Sequence, residues 1–134
     1  MATIPAINLG PFTNESGECV FDARTIYDRL AGDVSLIVEI SEMFLGDYSA
    51  MLAEVEAAVA ARDAHRLERA AHKLRGSIGN FSMTAAYHAA AALEAMRHEG
   101  NLKFAGESYT ALEGNVVEFA AVLRQFVAGN NQAH

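Results

Sequence analysis

Cysteine is almost missing from this chain: Cys19 is the one cysteine among 134 residues. That excludes an internal disulfide and any metal site built from paired cysteines. Tryptophan is absent, and both prolines, Pro5 and Pro11, come before residue 12. Nothing later in the chain therefore forces a break in a long helix. No window approaches the ~18 uncharged apolar residues of a membrane span. Residues 1–12 lack a basic region followed by an apolar run, so no secretory signal is read there. Positive charge is scarce as well. The net charge of −7 argues against nucleic acid as a global partner. What is present is a 51% apolar composition with mean hydropathy +0.09, which suits one folded domain with a single core. A cytoplasmic chain, with neither a nucleic-acid nor a membrane partner, is the expectation.

Hydrophobic spacing predicts helices nearly throughout. Residues 1–21 read as irregular, punctuated by Pro5, Gly10, Pro11 and Gly17. Residues 22–134 read as the bundle domain. A short helix is expected from about Asp22, as N-cap, to Leu30, with Gly32 as its stop. Asp33 can cap the next helix, whose apolar set is Ile37, Ile40, Phe44, Tyr48, Met51, Val55 and Val59, with a break or kink near Gly46. Asp63 can cap a helix running to about Asn80. Ser82 is read as the cap of a fourth helix that ends at Gly100, with Ala86, Ala89, Leu93 and Met96 as its buried stripe. A last helix, about Glu107 to Ala128, carries Tyr109, Leu112, Val116, Phe119, Leu123 and Phe126 on one seam. No strand or hairpin signal competes. The fold class is all-α: an antiparallel up-and-down four-helix bundle with a short extra N-terminal helix.

The segment from Ala71 to Phe81 carries the chemistry. Leu67, Ala70, Ala71, Leu74, Ile78 and Phe81 form one apolar stripe. His72 lies roughly 150° around the helix from the centre of that stripe, so its imidazole is expected in water. One turn on come Arg75 and Gly76, and two turns on comes Gly79. A glycine inside a helix costs roughly 1 kcal/mol relative to alanine. Two of them beside an exposed histidine suggest that something large approaches the backbone. Five of the ten Lys and Arg residues, Arg62, Arg66, Arg69, Lys73 and Arg75, fall in this region, with Glu68 among them. In an acidic chain that clustering suits an anionic partner.

Other chemistries fit poorly. His65 and His72 share a face but lie about 10 Å apart along the axis, too far for one metal ion with bonds near ~2 Å. His98 follows Glu94 by four residues, not the three of a di-iron bundle motif, and no metal site is expected. His88 points away from its helix's core, and His98, in a last turn, suits the helix dipole. Ser77 and Ser82 lack a nucleophile elbow, and no phosphate-binding glycine loop is present. What remains is His72 as a nucleophile. A neutral imidazole attacks a phosphoryl group through a ring nitrogen, and Arg75 can stabilise the added charge. With no nucleotide site in the chain, the donor has to be another protein.

The run His72-Lys73-Leu74-Arg75-Gly76-Ser77, followed by Phe81 and Ser82, resembles the signature of the histidine-containing phosphotransfer (HPt) domain of bacterial phosphorelays. That signature reads His, any residue, Leu, Lys, Gly, Ser, then an apolar residue and Gly. The likeness extends to Arg29–Asp33 through Phe44, and to Ala92-Leu93-Glu94, covering about residues 22–100. It departs at Arg75, where the family has lysine, and at Ser82, where it has glycine. The resemblance implies that His72 accepts a phosphoryl group and exchanges it with an aspartate of a response-regulator receiver domain, directly or in a hybrid histidine kinase. Magnesium would sit on the receiver, and this chain would hold no cofactor of its own. Arg75 would stabilise the phosphoryl group. Glu68, Arg69, Lys73, Gly76 and Gly79 would meet the partner. The chain would be a monomeric phosphotransfer intermediate and not an enzyme. The alternatives are the phosphoacceptor domain of a larger chemotaxis-type histidine kinase, and a helical adaptor that is not phosphorylated.

Overall fold

The computed structural model describes residues 7–82, 84–99 and 102–130, with the side chains of 97–99 excepted. Pro5, Gly100 and the His98 side chain, all singled out above, lie outside the described residues. Five helices follow a small hairpin. Strands β1 (Phe12–Thr13) and β2 (Cys19–Phe21) come first, then α1 (Arg24–Arg29), α2 (Val34–Ala60), α3 (Ala64–Gly79), α4 (Ala85–Glu99) and α5 (Ala105–Asn130). None of the described helices is long and apolar enough to cross a membrane. The four long helices form a helical bundle in which α2 and α4 each pack against both α3 and α5.

Helix starts follow the short polar residues. Asp33 Oδ1 accepts the Leu36 N–H at 3.0 Å, and Asp63 Oδ1 accepts the Arg66 N–H at 3.0 Å. Each satisfies a backbone donor that the first turn leaves without a helical partner. Asp22 Oδ1 accepts the Arg24 N–H at 3.0 Å from one position before Ala23, the N-cap of α1. Gly32, at φ 76°, closes the turn after α1 by donating to the Tyr27 carbonyl at 2.8 Å.

Three local expectations need correction. Helix α2 runs unbroken through Gly46, because the apolar periodicity on either side stays in phase. The cap of α4 is Thr84, whose Oγ1 accepts the Tyr87 N–H at 3.3 Å, and not Ser82. The segment before residue 22, read as irregular, holds an antiparallel hairpin with Phe12 opposite Phe21 and a register irregularity beside it. Asn14 builds its turn: Oδ1 accepts from the N–H groups of Ser16 and Glu18, and Gly17 takes φ 82°.

The hairpin is held by the core rather than by its few strand bonds. Phe12 and Phe21 are buried and join Phe44, Phe81, Phe119 and Phe126 in one aromatic cluster with centroids 5.4–6.2 Å apart. Most of these contacts are edge-to-face, the geometry that ring quadrupoles favour. Phe81 stands just past the end of α3, so the cluster fixes that end of the helix. Arg29 adds a polar hold from α1, its Nη1 donating to the carbonyls of Gly79 and Asn80 at 3.3 Å each. The stripe Leu67, Ala70, Ala71, Leu74 and Ile78 is buried as the spacing predicts. The opposite face of α3 is thereby turned to solvent.

Candidate functional site

His72 stands on that outward face with its side chain 65% exposed. Its Nδ1 lies 2.7 Å from Glu94 Oε1, across the α3–α4 contact. Arg75, one turn along α3, reaches the same carboxylate: Nε donates to Oε2, and Nη2 donates to Oε1 at 3.3 Å. Its remaining edge turns to α4, where Nη1 donates to Tyr87 Oη at 2.9 Å. Among the described residues, no hydrogen-bond partner engages His72 Nε2.

Protonation states follow from these contacts. Partial burial pushes the Glu94 carboxyl up, but the hydrogen bonds from Arg75 and His72 outweigh it and hold the group below its usual range. The Glu94 and Tyr87 contacts raise Arg75. Glu94 is therefore an anion that can only accept. A 2.7 Å contact to it requires a proton on His72 Nδ1. Arg75 Nη2, 3.1 Å from Nδ1, is then a second donor to the same oxygen and not a donor to the ring. The neutral imidazole carries its hydrogen on Nδ1 and its lone pair on Nε2, toward water.

The other residues singled out from sequence fall into different places. Gly76 is exposed, and a Cβ there would meet nothing within 4 Å. Gly79 corrects the reading that both glycines leave bare backbone, because a Cβ there would lie 3.1 Å from Tyr87 Cε2. The missing side chain at 79 is filled by a tyrosine ring of the same molecule. Arg69 and Lys73 are exposed and Glu68 is half-buried. Lys73 lines a groove between α2 and α3 with Asp47, Met51, Glu54 and Ser77.

The basic segment is also less free than the sequence suggests. Arg66 pairs with Glu54 at 2.7 Å, and Arg75 is taken by Glu94. The hydrogen bond from Arg66 lowers the Glu54 carboxyl against a smaller effect of desolvation, and the charges of Arg69 and Lys73 add to it. Among the described residues, no group of His, Cys, Asp and Glu is placed to hold a metal ion.

Sequence reasoning missed the parts that Glu94 and Tyr87 play. Glu94 lies 22 residues beyond His72 and Tyr87 lies 12 beyond Arg75. Helical spacing within α3 carries no information about either. Only the packing of α4 on α3 brings them in. The Leu93-Glu94 pair did stand out by resemblance, but nothing local to it names His72 as the partner.

One comparison with known proteins identifies a family. Neither a comparison with curated proteins nor one with solved structures returned a match. A family model, the Hpt domain, matches residues 39–128. That span runs from the first turns of α2 into the last turns of α5 and contains His72, Arg75, Tyr87 and Glu94. With two thirds of its length accounted for in this way, a helical bundle with an exposed histidine on its third helix, the chain belongs to the Hpt domain family.

Proposed function

We propose that His72 is the phosphoacceptor of a cytoplasmic phosphorelay, exchanging a phosphoryl group with the aspartate of a response-regulator receiver domain. The observation that carries this reading is the pairing of Nδ1 with Glu94 on an exposed ring whose other nitrogen bonds to no described residue. The Nε2 lone pair attacks the phosphorus of the receiver's aspartyl phosphate. An N–P bond forms, the P–O bond to the aspartate breaks, and the carboxylate leaves with the electron pair. Positive charge develops on the imidazole during attack, and the Glu94 carboxylate on Nδ1 stabilises it. Arg75 keeps the local balance near neutral, so the incoming phosphoryl group does not meet an uncompensated carboxylate.

The surroundings suit a docked protein. Gly76 leaves room one turn from the imidazole, and Arg69, Lys73 and Glu68 flank it as a polar rim. On the neighbouring helix Met43 is 63% exposed. It borders a groove of about 260 Å³ lined by Asp47, Met51, Ser77 and Asn80 among others. An apolar centre with a polar rim is the usual anatomy of a transient interface. The ring of contacts among the long helices, with short connectors, fits an antiparallel up-and-down bundle.

The test is direct. The chain is mixed with a phosphorylated receiver domain, or with an active hybrid kinase, and acid-labile, alkali-stable label is followed. Labelling of the wild type and none of His72→Gln is the expected result. Label retained by a folded His72→Gln variant would remove the proposal.

A further inference from the structure

Glycine 79 has no reason to be glycine on the grounds that explain Gly76. It does not face open space, and its backbone is helical. What it does is seat Tyr87. The nearest ring atoms, Cε2 and Cδ2, would be 3.1 and 3.4 Å from a Cβ at position 79, closer than the ring could accept without shifting. In that seat the phenol Oη accepts from Arg75 Nη1 at 2.9 Å. The opposite edge of the same guanidinium holds both oxygens of Glu94, and Glu94 Oε1 holds His72 Nδ1. The planar fork of arginine makes this continuous. Its donors point along fixed directions, so fixing one edge fixes the other. A lysine could not transmit the constraint, having a single ammonium on a flexible stem.

We propose that Tyr87, seated over Gly79, is a positioning residue for His72. Its hydroxyl orients Arg75, which aims the Glu94 carboxylate at Nδ1, and this selects the tautomer that leaves Nε2 as the attacking atom. Glycine at 79 is retained for the ring of the same molecule and not for the approach of a partner. Tyr87 touches no reacting atom. It acts through Arg75 and Glu94. The inference rests on the reading of His72 as the phosphoacceptor for its importance, but its structural content is measurable without any phosphoryl transfer.

The experiment reads the tautomer of His72 by long-range nitrogen–proton correlation NMR on ¹⁵N-labelled protein at high pH, where the rings are deprotonated. The His72→Gln variant assigns the signals. In the wild type the Nδ1–H form predominates. Tyr87→Phe keeps the ring and removes the hydroxyl. It is expected to shift the tautomer ratio toward Nε2–H about 3- to 10-fold, the effect of losing one hydrogen bond to a charged group at a partly exposed site. Melting temperature and helicity stay near wild type. Gly79→Ala, which keeps the hydroxyl on the tyrosine but displaces the ring that carries it, is expected to move the ratio in the same direction. Labelling from a phosphorylated receiver slows by a similar factor in both variants. If both variants keep the wild-type ratio, the positioning role is refuted, whatever the outcome of the labelling. If the ratio moves as expected while His72→Gln still takes label, the relay stands and the phosphoacceptor assignment falls.

Discussion

Replacing Gly76 with leucine separates stability from function in opposite directions. A Cβ at this exposed position meets nothing within 4 Å, so a side chain can be started there without a clash. Glycine is the poorest helix former after proline, and position 76 lies inside α3. The substitution should therefore stabilise the chain by about 0.7 kcal/mol, seen as a rise of roughly 2–4 °C in Tm. Helical side chains lean toward the N-terminus, and Cβ atoms four residues apart lie about 5–6 Å from each other. Leucine at 76 would thus lie over the turn that holds His72, where a receiver has to bring its aspartate. Misplacing reacting atoms by about 1 Å can cost on the order of 100-fold in rate, and a branched side chain in the path displaces them by at least that much. The assay is the initial rate of label transfer from a phosphorylated receiver, paired with thermal melts followed by circular dichroism. A Gly76→Leu protein that is more stable and slower by about 100-fold is the expected result. Transfer at the wild-type rate would refute the close-approach argument. A clear loss of stability would refute the premise that the space is empty.

Phe81→Ala removes a fully buried ring that meets Phe21, Phe44 and Phe119. It should cost about 3–5 kcal/mol in urea unfolding, and a loss below about 1 kcal/mol would mean that the site collapses without a cavity. Part of the acid dependence should trace to Glu94. Its pKa is lowered in the fold from an ordinary 4.5, so the native state binds fewer protons than the unfolded one. The resulting stability is present above the unfolded value and lost as pH falls through the lowered one. The stability gap between wild type and Glu94→Gln should therefore be open near pH 5.5 and close on acidification toward pH 3, as measured by urea melts across that range. A gap independent of pH would show that the carboxylate's charge contributes nothing.

Much of the fold was legible because it is written in local spacing. The seam Tyr109, Leu112, Val116, Phe119, Leu123 and Phe126 is buried along its full length, and Asp33 and Asp63 cap the helices they precede. Where two hydroxyl residues stood close together, at Ser82 and Thr84, local rules offered no choice, and the packing of α4 settled it. The hairpin was harder to see. Strands of two and three residues are too short for an alternating pattern to register, and their stability comes from rings far along the chain. The Asn14 to Gly17 turn was the signal available. At the site, the exposure of His72 and the nearness of Arg75 follow from helical geometry. The carboxylate that sets the state of the imidazole does not, because it belongs to another helix. Gly79 shows the same limit from the other side. A missing side chain reads as open space in sequence, and its occupant, Tyr87, is visible only in three dimensions.

The aromatic cluster also bears on where this module can be cut. The family match begins at residue 39, yet Phe12 and Phe21 share one apolar interior with Phe119 and Phe126. Trimming the chain to the family boundary would remove two rings and the Arg29 clasp, and would uncover one side of Phe81 where α3 ends. The segment that the family model matches is shorter than the segment whose side chains share this interior. An excised domain should keep the hairpin if its histidine helix is to stay anchored.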